Sequence, residues 1–143
     1  MNAIALQPRH IVSILVLLTA LVLSWQSSLK HAATSQFNVK EVTALEAKAL
    51  MDAGAVVIDV RDRAASGRIH LPGAMLIPLE VLSASLAQLE SAKAKNIVVY
   101  CGDGGTRGPE ATAKLNSAGF AQAVNLKSGI EGWRNAGLPT ARL

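Results

Sequence analysis

One cysteine in 143 residues excludes an intramolecular disulfide framework and any Cys-x-x-Cys redox or zinc site. Histidine is almost as scarce. The three present are scattered, with no paired carboxylates beside them, so a metal site is not expected. Aromatic residues make up 3% of the chain, and its 14 lysines and arginines are dispersed. A nucleic-acid surface needs a basic stripe interleaved with stacking rings, so that class of partner is not expected either. The net charge of +4 is modest. Arg9 and Lys30 contribute +2 ahead of Phe37, and the remainder adds +2 from 12 basic and 10 acidic residues. There is no internal repeat and no low-complexity segment.

What the chain does have is a long charge-free stretch near its start. Residues 1–10 form a short basic N-terminus ending in Arg9 and His10. Ile11 to Trp25 is apolar, and the uncharged run extends through Leu29. Such a run is apolar on every face, unlike a surface helix, and is long enough to cross a bilayer near the lower limit. Residues 11–29 are therefore read as one N-terminal transmembrane helix, retained as a single-pass membrane anchor. Lys30 and His31 follow it, and the only small-x-small candidate, Ala33-Thr34-Ser35, stands well beyond the apolar core. The alternative is a cleaved signal that leaves a secreted or periplasmic domain. Arg9 and the amino terminus oppose Lys30 and Lys40, so the side on which the soluble domain lies stays open. Residues 30–36 read as a linker and 37–143 as one soluble domain.

Within that domain, strand and helix signals alternate. Thr43-Ala44-Leu45-Glu46 is a capping-box signature, with Leu45, Ala49 and Leu50 at helical spacing and Gly54 as the stop. Ala55 to Val60 is a continuous apolar run ending near a carboxylate, as in a buried parallel strand. Arg61 to Gly67 reads as a short polar connection, and Met75 to Ile77 as a brief strand halted by Pro78. Leu79, Leu82, Leu86 and Leu89 predict a helix. Asn96 to Tyr100 is a strand, followed by a helix with Pro109 near its start and Gly119 at its close. Ala123 to Leu126 is a further strand, and Ile130 to Ala136 a last short helix. This alternation predicts an α/β sandwich around a parallel sheet, with the site at the strands' carboxyl ends.

Cys101 falls at such an end. The loop that follows, Gly102-Asp103-Gly104-Gly105-Thr106-Arg107, leads into the next helix. Glycines let backbone amides turn inward around one sulfur, and a helix N-terminus behind them favours anions. The expectation is a nucleophilic Cys101 with its pKa lowered toward the thiolate, ringed by Gly102 to Arg107 as an anion-binding loop. The bland alternative is a buried structural cysteine. Arg107 is expected either to hold an anion and support the loop or to pair with Asp103 or Glu110. Asp103 is expected to face solvent, because a carboxylate pointing inward would oppose the thiolate. Asp59 and Arg61 are read as a strand-end ion pair that fixes the neighbouring loops. His70 is read as a turn residue, and Trp133 and Phe120 as core.

Five segments in order resemble the rhodanese-like family. They are Val57 to Arg61, then Gly67 to Ala74 with Ile77-Pro78, then Ile97 to Cys101 with its loop, then Ala111, Leu115 and Gly119-Phe120, and finally Asn125 to Trp133. The resemblance covers about Val39 to Pro139. It implies a three-layer sandwich with a central parallel β-sheet, and a sulfurtransferase of the thiosulfate sulfurtransferase type. In that chemistry Cys101 takes a sulfane sulfur from thiosulfate or a persulfide donor, holds it as a persulfide, and passes it to a thiophilic acceptor, either a thiol or a protein. Five residues separate Cys101 from Arg107, one more than in the common family loop. The C-x5-R-G-P shape is similar to rhodanese-fold dual-specificity phosphatases and arsenate reductases, which act on tetrahedral oxyanions. An oxyanion enzyme is therefore one alternative, and a non-catalytic sulfur-carrier or binding module another.

Overall fold

A computed structural model describes residues 18, 19, 21 and 37–142. The proposed membrane segment, residues 11–29, lies outside the described residues except at Leu18, Thr19 and Leu21, and the linker 30–36 lies wholly outside them. Among the described residues no helix is long and apolar enough to cross a membrane.

Five strands form one parallel sheet in the order β1-β5-β4-β2-β3. They are β1 (Glu41–Val42), β2 (Val56–Asp59), β3 (Met75–Leu76), β4 (Ile97–Tyr100) and β5 (Ala123–Leu126). Parallel neighbours need crossovers, which here are α1 (Ala44–Asp52), α2 (Arg63–Arg68), two 3-10 stretches (Leu79–Val81 and Ser83–Ala92) and α3 (Arg107–Ser117). A last helix, α4 (Gly129–Asn135), follows β5.

The strand period of two sorts side chains into two cores, one on each face of the sheet. On β4, Ile97 and Val99 point to the face covered by the 3-10 stretches and α3, where Leu82, Leu89, Leu115 and Phe120 complete the packing. Val98 and Tyr100 point to the other face, against Ala47 of α1 and Ile130 and Trp133 of α4. The three layers implied by the resemblance follow from this alternation. Cys101 continues the first series and faces α3.

Four local readings change. The capping box at Thr43 forms, with Glu46 Oε2 accepting from Thr43 N at 2.7 Å and Thr43 Oγ1 accepting from Glu46 N at 3.3 Å. The buried face of α1, however, is Ala44, Ala47, Leu50 and Met51, while Leu45 is exposed. The segment Arg61 to Gly67, read as a polar connection, is largely taken up by α2, which runs on to Arg68 and is nucleated where Asp62 Oδ1 accepts from Ala65 N at 2.8 Å. Leu79 to Leu89 is not α-helical. Its leucines come in pairs three apart, and a three-residue turn brings each pair to one side, burying Leu82 and Leu89. Finally, β1 has two residues, too short to show a sequence period, and is held by Asn125 N donating to Lys40 O and Lys127 N donating to Val42 O, both at 2.9 Å.

Candidate active site

β4 delivers Cys101 to the carboxyl edge of the sheet, and α3 begins at Arg107, so the loop spans a strand end and a helix N-terminus. The sulfur sits inside this loop, 3.4 Å from where a Cβ on Gly108 would stand, and the amides of Gly108, Gly104 and Asp103 favour its charged form. Two of these positions must be glycine. Gly104 has φ +74°, and a Cβ there would stand 2.7 Å from Gly129 N and 2.9 Å from Leu126 O. A Cβ on Gly108 would collide with Asn125 Oδ1 and meet Cys101 Sγ at 3.4 Å.

The loop is fastened from behind by the first turn of α4. Ile130 N donates to Cys101 O at 3.0 Å and Glu131 N to Gly102 O at 3.1 Å. Asn125, buried on β5, donates through Nδ2 to Gly104 O at 3.3 Å and to Glu41 Oε1 at 2.8 Å, tying the loop to β1. Sequence reasoning places Asn125 only in a strand. Its polarity within an otherwise apolar buried strand was the available signal, because buried amides need partners.

Asp103 is exposed, as expected of a solvent-facing residue, but its carboxylate folds back over the loop. Oδ1 accepts from Gly105 N at 3.0 Å and lies 3.9 Å from Cys101 Sγ. The Gly105 amide is thereby engaged by Asp103. The partner that Arg107 takes is Glu80. Its Nη2 donates to Glu80 Oε1 at 2.7 Å and to Val60 O at 3.3 Å, while Glu110 pairs with Lys114. Thr106 precedes α3 without a side-chain cap bond.

Asp59 and Arg61 lie beside this edge, with Asp59 in register with Tyr100. Arg61 donates to both carboxylate oxygens of Asp59, Nε at 2.9 Å and Nη2 at 2.6 Å, and Nη2 also donates to Ile69 O at 2.7 Å. Tyr100 OH donates to Asp59 Oδ2 at 2.8 Å and accepts from Leu71 N at 3.1 Å. Burial alone would raise the Asp59 pKa, but the Arg61 and Tyr100 hydrogen bonds prevail and hold it below the ordinary carboxylate range. His70 is not in a turn but forms an isolated antiparallel bridge with Ala141, with Nδ1 3.2 Å from Ser66 O, and Trp133 and Phe120 are buried.

The expected depression of the Cys101 pKa does not follow from this geometry. Burial pushes the thiol above its ordinary value, and the Asp103 carboxylate adds to that; the amides of Gly108, Gly104 and Asp103 pull it down without overcoming burial. Anion-favouring amides lower a thiol's pKa only when the sulfur is not also stripped of water. The rate of alkylation of Cys101 should therefore inflect above the free-thiol value as pH rises. Stopped-flow alkylation against pH measures this, and an inflection below the free-thiol value would contradict it.

The site is thus a single cysteine at a strand end of a parallel α/β sandwich, cupped by a glycine loop that opens a helix. Residues 43–136 match the Rhodanese-like domain model, and the chain belongs to that family. It is 37% identical over 106 residues to the uncharacterized protein YibN of Escherichia coli K12, covering 73% of each chain. It is 33% identical to the thiosulfate sulfurtransferase GlpE of Pseudomonas fluorescens, over 66% of this chain and 84% of that one. Among solved structures, the crystal structure of the Alr3790 protein of Anabaena matches with a TM-score of 0.63 at 32% identity, covering 71% of this chain and 92% of that one.

Proposed function

We propose that the protein is a sulfurtransferase in which Cys101 accepts a sulfane sulfur from thiosulfate or a persulfide and hands it to a thiol or protein acceptor. The observation that carries the reading is a buried cysteine at a strand end, enclosed by its own glycine loop at the start of α3, where the amides of Gly108, Gly104 and Asp103 favour the charged form of the sulfur. Each step of such a transfer places negative charge at that point, on the attacking thiolate, the leaving group or the bound persulfide, and fixed N–H dipoles stabilise it without reorganising. Gly102 to Arg107 form the substrate loop, and Asp59 and Arg61 brace the adjoining strand end. No metal or other cofactor takes part in this reading. In it, residues 11–29 tether the domain to a membrane.

Two contacts favour sulfur transfer over phosphate or arsenate chemistry on the longer loop. An oxyanion enzyme needs every loop amide and the arginine turned toward the anion. Here the Gly105 amide is engaged by Asp103, and Arg107 pairs with Glu80. Incubation with thiosulfate or cysteine persulfide followed by intact-mass spectrometry should show a gain of one sulfur atom. Cys101→Ser should abolish that gain while leaving the circular dichroism spectrum unchanged. Hydrolysis of phosphate esters with no sulfur gained would overturn the reading.

A further inference from the structure

Asn125 is fully buried in β5, where its strand neighbours Ala123, Val124 and Leu126 are apolar. An apolar side chain would fill such a position without needing partners. Its Nδ2 faces two acceptors, Glu41 Oε1 at 2.8 Å and Gly104 O at 3.3 Å, and so uses both of its hydrogens. The two acceptors fix the amide's orientation, because turning it over would set oxygen against oxygen. Oδ1 is thereby held beside Gly108, and among the described residues it has no hydrogen-bond partner. Oδ1 and Cys101 Sγ share the space that a Cβ on Gly108 would take. A buried acceptor left unpaired costs stability. A strand residue that carries this cost and touches two glycines of the cysteine loop points to a role in the site.

We propose that Asn125 is a positioning residue for the transfer, holding Gly104 and Gly108 against Cys101, and that the Glu41 side chain in turn holds Asn125. The inference deepens the sulfurtransferase reading and rests on it. Glu41 stands on β1, separated from β4 by β5, and is half-buried. Its charge-assisted bond pins one hydrogen of Nδ2 and leaves the other aimed at Gly104 O. Gly104 and Gly108 are the residues whose amides most favour the charged sulfur, so restraint at both reaches the reacting atom. The strand pairing does not need the Glu41 side chain. Main-chain bonds from Asn125 N to Lys40 O and from Lys127 N to Val42 O hold β1 to β5.

The test compares the full chain with Asn125→Ala, Glu41→Ala and Glu41→Gln. One readout is the rate of sulfur gain by Cys101 from thiosulfate or cysteine persulfide. The other does not depend on sulfur transfer: it is the pH at which Cys101 alkylation inflects. Asn125→Ala should slow sulfur gain by roughly tenfold to a hundredfold and move the inflection upward. Glu41→Ala should slow it about fivefold and move the inflection in the same direction, with Tm nearly unchanged. Glu41→Gln keeps an oxygen to accept from Nδ2 and should restore most of the rate. If Asn125→Ala does not fold, the two Glu41 variants decide. A rate and an inflection both unmoved by Glu41→Ala would overturn the proposal, as would a fall in rate with the inflection unmoved. Inflections that shift as expected, with no sulfur gained even by the unmodified chain, would overturn the sulfurtransferase reading, and the role in transfer with it.

Discussion

Arg61→Met is expected to destabilise the domain by about 3–5 kcal/mol, the cost of leaving a buried charge without its partner. Asp59 is fully buried and Arg61 nearly so, and four hydrogen bonds reach the Asp59 carboxylate: three from Arg61 and one from Tyr100. For a domain of this size the loss corresponds to a fall in Tm on the order of 15 °C. The pH dependence gives the sharper check. In the unmodified protein the folded-state pKa of Asp59 is lowered. Its stabilisation is therefore present above the unfolded carboxylate value and is lost as pH falls through the folded one. Without Arg61, burial, already the largest single influence, is no longer outweighed, and the folded pKa rises above the unfolded value. The sign then reverses: the contribution of Asp59 becomes most favourable when acid protonates it. The stability gap between the two proteins should accordingly narrow on acidification from pH 7, as measured by urea denaturation at a series of pH values. A gap that stayed constant would show that Asp59 is not the charge responsible. Asp59→Asn on the Arg61→Met background should recover part of the loss at neutral pH, because it removes the stranded charge.

This network also shows where sequence reading stops. Asp59 and Arg61 are two residues apart at a strand end, which is enough to suggest the pair. Nothing local reveals that Tyr100, 41 residues away, donates to the same carboxylate. That contact exists because β2 and β4 are parallel neighbours in register, which brings Tyr100 alongside Asp59. The strands themselves were legible because both of their faces are buried, so each appears as an unbroken apolar run. The 3-10 stretches were not, since leucines three and four apart satisfy an α-helical pattern as well as a tighter one. Helix α2 was hidden for a different reason: its six residues contain one glycine and two arginines and show no apolar stripe, so the Asp62 cap was its only sign.

The site divides in the same way. Cys101 and its glycines are contiguous, and the need for inward amides can be read from them directly. Which amides reach the sulfur cannot. Gly108, beyond the expected loop, contributes one, while Gly105, within it, donates to Asp103 instead. The direction of the Cys101 pKa was misjudged because a loop sequence carries its dipoles but not the apolar layer behind the sulfur. Ala111, Leu115 and Val99 supply that layer from α3 and β4. Glu80, which holds Arg107, comes from a segment 27 residues earlier and has no motif of its own.

Gly104→Ala should reduce the rate of sulfur gain by Cys101 by about 100-fold or more, the usual cost of removing one preorganised donor from an anion site. The backbone there has φ +74°, which an L-residue adopts only with strain. The added methyl would also press on Gly129 N and Leu126 O, main-chain atoms of β5 and the start of α4 that cannot rotate aside. The loop must therefore lift, and two interactions go with it: the Gly104 amide that favours the charged sulfur and the Asn125 bond to Gly104 O. Burial would then act on Cys101 with fewer opposing dipoles, so the alkylation inflection should move further upward than in the unmodified protein. Simple destabilisation of the domain would not produce that shift. Gly54→Ala separates the two causes. Gly54 also has positive φ, at +90°, but a Cβ there meets nothing within 4 Å. It lies in the turn before β2, at the opposite end of the sheet from Cys101. It should cost stability, on the order of 1 kcal/mol from backbone strain, and leave both the transfer rate and the alkylation inflection in place. Equal loss of activity in the two variants would mean that strain alone, and not the displaced amide, accounts for the effect.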